Sequence, residues 1–87
     1  MPRKILTQAH GAQCFWVNNG PIIRDLEELK RAVDEMSDEK FDYHTKREGN
    51  DFAEWVEKIL GEKSLAKKLE RTRTRKGFVK AIGNYLS

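Results

Sequence analysis

The sequence holds little from which a reactive or metal centre could be built. Its single cysteine, Cys14, excludes an internal disulfide. One cysteine and two histidines are too few for a four-ligand zinc site unless carboxylates contribute. Uninterrupted apolar runs reach only about four residues, far short of a bilayer span. Nothing near the N-terminus resembles a secretory leader, because Arg3-Lys4 is followed by only Ile5-Leu6 before polar residues resume. These shortages set the first expectations: a protein of the reducing cytoplasm, without membrane association, metal or cofactor.

Eighty-seven residues suffice for one domain, with no room for separate catalytic and substrate domains. A chain this short buries roughly 60–65% of its unfolded surface, so one compact core must carry its stability. With 38% hydrophobic and 36% charged residues, a solvated surface surrounds a thin core. The aromatics and leucines are too many for a disordered tail. The net charge of +3 is unevenly distributed: residues 1–21 carry +2, residues 22–62 carry −6 and residues 63–87 carry +7.

The clearest local signal is Asn50-Asp-Phe-Ala-Glu-Trp-Val-Glu-Lys-Ile-Leu60, closed by Gly61. Asn50 is a good N-cap, Asp51 puts an acid in the first turn, and Gly61 stands where a helix needs a left-handed residue. Phe52, Trp55, Val56, Ile59 and Leu60 recur at helical spacing and make one face apolar.

The rest of the chain is organised around that helix. Residues 1–12 have no periodicity and read as a flexible arm preceding a single small helical domain at 13–87. Cys14-Phe-Trp-Val17, the turn sequence Asn18-Asn-Gly-Pro21 and Ile22-Ile23 predict a small hairpin or an extended segment leaning on the helices. Asp25 and Glu28 form a capping-box pattern before Leu26, Leu29, Val33 and Met36. Ser37 caps a second helix, with Phe41, His44 and Thr45 inward and Tyr43 to one side. Lys46 to Gly49 forms a turn. Ser64 is expected to cap a helix carrying Leu65, Ala66, Leu69 and Thr72. Thr74 is expected to cap a last helix carrying Phe78, Val79, Ile82, Tyr85 and Leu86, weakened by Gly77 and Gly83. No internal repeat of 20–50 residues is visible.

The fold class that follows is all-α or nearly so: a compact bundle of four to five short helices with a short extended or hairpin segment near the N-terminus. The expected core includes Phe15, Leu26, Leu29, Val33, Phe41, Phe52, Trp55, Val56, Ile59, Leu65, Leu69 and Ile82.

At Phe15, Gly20, Leu26/Leu29, Tyr43-His44, Asn50-Asp-Phe-x-x-Trp-Val56 and Leu60-Gly-Glu-x-x-Leu-Ala66, the chain resembles a family of small archaeal and bacterial domains of unknown function. The resemblance covers roughly residues 15–70. Some of those domains look like appendages to larger enzymes, including carbohydrate-active ones. It implies a stand-alone accessory module and carries over no catalytic residue.

Three groups of residues are candidates for function. Lys63, Lys67, Lys68, Arg71, Arg73, Arg75, Lys76 and Lys80 crowd the last two helices and their join, with only Glu70 among them. Such a cluster either binds the phosphates of DNA or RNA or pairs with the acidic helices of its own chain or a second copy. Helix–turn–helix reading is disfavoured, because aligning Gly61 with that motif's turn puts Glu57, Lys67 and Glu70 where small or apolar residues are needed.

His44 is either a ligand contact or a partly buried histidine bonded to its surroundings. Trp16 turns outward if Phe15 and Val17 face inward, which makes it a stacking surface for a sugar or base. A Cys14–His44 nucleophilic pair has no local support, and Cys14 reads as a buried, inert thiol. The leading expectation is a small non-enzymatic interaction module whose protein partner and oligomeric state the sequence does not name. The alternative is sequence-independent nucleic-acid binding through 63–80.

Overall fold

The computed structural model describes residues 13–17, 20–46 and 49–86. The arm expected over 1–12 and the middles of two turns, Asn18-Asn19 and Arg47-Glu48, lie outside the described residues. Two strands, β1 (Phe15–Trp16) and β2 (Ile22–Ile23), precede five helices: α1 (Leu26–Glu35), α2 (Asp38–Thr45), α3 (Asp51–Lys58), α4 (Lys63–Arg71) and α5 (Arg75–Leu86). The strands pair antiparallel, Phe15 with Ile23 and Trp16 with Ile22, and the turn closes through a Gly20 N–H bond to the Val17 carbonyl at 3.0 Å.

Local chemistry sets most helix starts. Asp25 Oδ1 accepts from the Glu28 N–H at 2.9 Å, Ser37 Oγ from the Lys40 N–H at 3.1 Å, and Asn50 Oδ1 from the Ala53 N–H at 3.0 Å. Each satisfies one of the orphan donors that a helix N-terminus exposes. Thr74 does the same for α5, accepting from the Gly77 N–H at 3.0 Å.

Two expected caps change. Glu28 reaches back not to the Asp25 N–H but to that of Arg24, at 2.8 Å, because the Arg24 guanidinium also holds the same carboxylate at 3.0 Å. Ser64 does not cap α4. The helix begins one residue before it, with Glu62 at the cap position and no side-chain cap bond. Glu62 is turned away from its own helix and accepts from the Tyr85 hydroxyl of α5.

Between α3 and α4 the chain reverses at Gly61, whose φ of 73° lies in the left-handed region that glycine tolerates best. Around it, Leu60 N–H reaches the Trp55 carbonyl at 3.3 Å and Glu62 N–H reaches the Val56 carbonyl at 3.1 Å, satisfying the end of α3. Gly77, expected only to weaken α5, has a packing reason. A Cβ there would stand 2.7 Å from Thr72 Cγ2, closer than the join to α4 allows.

The core is centred on three fully buried phenylalanines, one each from α2, α3 and α5. Phe41 and Phe78 meet edge to face at 4.9 Å, and Phe52 lies 5.9 Å from Phe78 and 6.4 Å from Phe41. Such pairs add about 0.5–1.5 kcal/mol each beyond the area they bury. Leu29 and Val33 of α1, Leu65 and Leu69 of α4 and Ile82 of α5 close around them. α1 packs chiefly on α5, and α3 on α4.

Trp55 is buried as expected, and its indole N–H donates to the Gln13 carbonyl at 2.8 Å. Phe15 and Ile59 sit at the core's edge, half-buried rather than central. Val17, Ile23, Leu60, Phe78 and Leu86 are buried beyond the expected set.

Candidate functional site

The candidate residues fall at two places, the outward side of α4 and α5 and the side of α3 beneath the hairpin. On α4 the buried residues are Leu65, Ala66 and Leu69. At 100° per residue, Lys63, Lys67 and Arg71 (i, i+4, i+8) then form a row on the opposite side, about 6 Å of rise apart. On α5, Phe78, Ile82 and Leu86 are buried, and Lys76 and Lys80 stand outward at the same spacing. Lys63, Lys67, Lys68, Arg71, Lys76 and Lys80 are all exposed, and none forms a salt bridge with a described residue.

α4 also begins with Lys63 and has no acid in its first turn, although the positive end of a helix dipole favours acids there. Lys67 and Glu70 are solvent-facing, which fits the earlier argument against a helix–turn–helix.

Arg75 does not belong with this group. Its Nε donates to Asp38 Oδ1 at 2.7 Å, and its Nη1 donates to the carbonyls of Asp34 at 3.1 Å and Val33 at 3.4 Å. These are carbonyls of the last turn of α1, which has no basic residue of its own. The guanidinium of α5 therefore caps α1 and ties it to α2. In turn the Arg75 hydrogen bond holds the Asp38 carboxyl below its ordinary pKa. Arg24 does the same for Glu28, again through the side-chain hydrogen bond first.

Arg73 is also set apart. It lines a hollow of about 630 Å³ with Lys46, Lys58, Glu54, Glu57 and Glu70, where the two signs alternate, and its carbonyl accepts from Lys46 Nζ at 3.3 Å. Six of the eight expected basic contacts thus lie on the two outward faces, Arg73 lies between the helices with an exposed side chain, and Arg75 is engaged in the fold. The sequence contains no signal for the Arg75 clasp, since its partners lie 37 to 42 residues away.

Trp16 and His44 line the same cleft. It has a volume of about 370 Å³ and is bounded by Phe15, Trp16 and His44, by Trp55 and Ile59, and by the charged Asp51, Glu54 and Lys58. Trp16 is 64% exposed, the highest value among the described large apolar residues, and its cross-strand neighbour Ile22 is exposed too. His44 is only 5% exposed. Its Nδ1 lies 3.1 Å from Asp51 Oδ2, and its ring stands 5.2 Å from Phe15, 5.0 Å from Tyr43 and 5.1 Å from Phe52.

The histidine therefore acts as a bolt between α2 and the first turn of α3 and shows the cleft no more than an edge. Cys14 is half-buried rather than buried, because it precedes β1 at the rim of the hairpin.

Asn50 carries a role that spacing alone did not show. Besides capping α3, its Nδ2 donates to the Leu69 carbonyl of α4 at 3.0 Å. One side chain thus closes the start of α3 and holds the far end of α4.

Among the described residues, no group of three or more His, Cys, Asp or Glu could hold a metal ion, and no helix is long and apolar enough to cross a membrane. Compared with protein-family models, curated proteins and solved structures, the chain finds no match.

Proposed function

We propose that this domain is a non-enzymatic binding module that engages the phosphate backbone of nucleic acid through the outward faces of α4 and α5, without reading base sequence. One observation carries the reading: Lys63, Lys67, Lys68, Arg71, Lys76 and Lys80 are exposed and form no salt bridge with a described residue, although the rest of the domain has an excess of acids. A basic end whose task was to pair with its own acidic helices would resemble Arg75. Rows of amines and guanidinium groups on two packed helices suit a polyanion, whose condensed counterions they would release. The absence of helix–turn–helix grammar argues for backbone contact rather than groove reading.

The test is fluorescence anisotropy with random duplexes of differing sequence over a series of salt concentrations. The expected result is affinities within a few-fold of one another and a linear fall of log affinity with log salt, with a slope of about −0.9 per phosphate neutralised. Changing Lys67 and Arg71 together to Gln should reduce that slope by roughly two units. No binding by micromolar protein at low salt, or an unchanged slope in that variant, would end the proposal.

A further inference from the structure

We propose that the cleft beneath the hairpin is a second binding site, one that receives an arginine side chain of a partner polypeptide. The proposal starts from the exposed indole of Trp16, which β1 turns to solvent, while Phe15 and Val17 turn toward the core. An exposed indole face attracts cations through its quadrupole, and guanidinium, planar and weakly hydrated, stacks on it best.

The charges around the indole have the complementary sign. Asp51 and Glu54, both exposed on the first turn of α3, line the cleft, and neither forms a salt bridge with a lysine or arginine among the described residues. Asp51 is bonded to His44 Nδ1 at 3.1 Å, which orients its carboxylate. Lys58 lies one turn beyond Glu54 without pairing with it, so two carboxylates face a single amine in the lining of the cleft.

A helix start would ordinarily draw an anion, but here two carboxylates already occupy it and reverse the local preference. A neutral sugar on the same ring can donate hydroxyls to those carboxylates but brings no charge to offset theirs. A guanidinium offers them paired N–H donors. The cleft, about 370 Å³, lies at the small end of ligand sites, the size for one side chain. Exposed Ile22, directly across from Trp16, continues the apolar surface beyond the cleft, where the residue beside the arginine would rest. That continuation favours a polypeptide over a free cation.

The test follows the indole N–H signal of Trp16 by NMR while the peptide acetyl-Leu-Arg-Leu-amide is added. Parallel titrations use the same peptide with citrulline for arginine, free arginine amide, and a neutral disaccharide. The arginine peptide should shift the Trp16 signal saturably in the millimolar range or below, and the Trp55 signal less. The citrulline peptide and the free amide should each bind at least several-fold more weakly. Glu54→Gln should weaken the arginine peptide roughly two- to fivefold, and Trp16→Ala should abolish its saturable shift at the Asp51 amide. Both positions are exposed, so an unchanged Trp55 signal reports an intact fold. Equal binding of the citrulline peptide, equal binding of free arginine amide, a stronger response to the disaccharide, or an unaltered affinity in either variant would overturn the proposal.

Discussion

The polar residues of α1–α3 and those of α4–α5 serve different ends. In the first three helices many of them build the fold, with Glu54 at the cleft an exception. Asp25, Ser37 and Asn50 cap, Arg24 holds Glu28, Lys46 holds Asp42 at 2.6 Å, and His44 joins Asp51. In α4 the cap position makes no side-chain capping bond, its first residue is a lysine set against the helix dipole, and the outward rows form no salt bridge with a described residue. The two helices contribute to the fold through their apolar faces, and their charges, apart from Arg75, are left over. Charge that folding leaves unused, and that costs the helix something to keep, is where a binding function is best sought.

The contrast can be tested from its strongest point to its weakest. Trp55→Ala removes a buried ring of α3 together with its bond to Gln13, and should cost about 3–5 kcal/mol, comparable to the whole stability of a domain this size. Circular dichroism should find it largely unfolded. A cooperative melt within a few degrees of the parent would place the centre of the first region elsewhere.

Gly61→Val asks a β-branched residue to adopt φ near 73° at the joint between the regions, and should cost about 1–3 kcal/mol in denaturant titration. Asn50→Ala loses both a cap and the bond to Leu69, so about 1–2 kcal/mol is expected, above the usual cost of a cap alone. Asn50→Asp retains the cap acceptor and removes the donor, isolating the second bond. If Asn50→Asp is as stable as the parent, the link to α4 contributes nothing.

Arg75→Gln separates the one structural arginine from its neighbours. Losing the guanidinium bonds to the α1 carbonyls should cost about 1–2 kcal/mol near neutral pH. The pH dependence has a definite sign. The Asp38 carboxyl is depressed by Arg75, so its share of the stability is present above its unfolded pKa and is lost as pH falls through the folded one. The gap between parent and variant should therefore narrow in acid, and a gap that widens would deny the pair its role. The smallest effect belongs to Lys67→Gln with Arg71→Gln, which should alter stability by less than about 0.5 kcal/mol while weakening nucleic-acid binding. A large loss of stability there would erase the contrast.

How legible this was in the sequence depends on the range of the interaction. Helices, caps at Asp25, Ser37, Asn50 and Thr74, and the outward turn of Trp16 follow from contacts within four residues, and periodicity shows these directly. Local pattern points to Ser64 as the cap of α4, whereas the helix begins at Lys63 and Glu62, at the cap position, meets Tyr85, 23 residues away. Arg75 read as one of eight equivalent basic residues for the same reason: composition cannot say which charge meets a helix end across the bundle. His44 was readable only as an inward residue, and its meeting with Asp51 depends on the turn between α2 and α3.

The arrangement of α1 against α5 bears on the order in which the chain is made. α1 is made before α5, with Leu29 and Val33 on its apolar side, yet its chief packing partner is α5, which follows the other described helices in the chain. Phe78, wedged between Phe41 and Phe52, arrives with it. During elongation the first four helices therefore present an unfilled hydrophobic notch. A chain cut before residue 75 should bind chaperones or aggregate, and supplying residues 75–86 as a separate peptide should relieve that state.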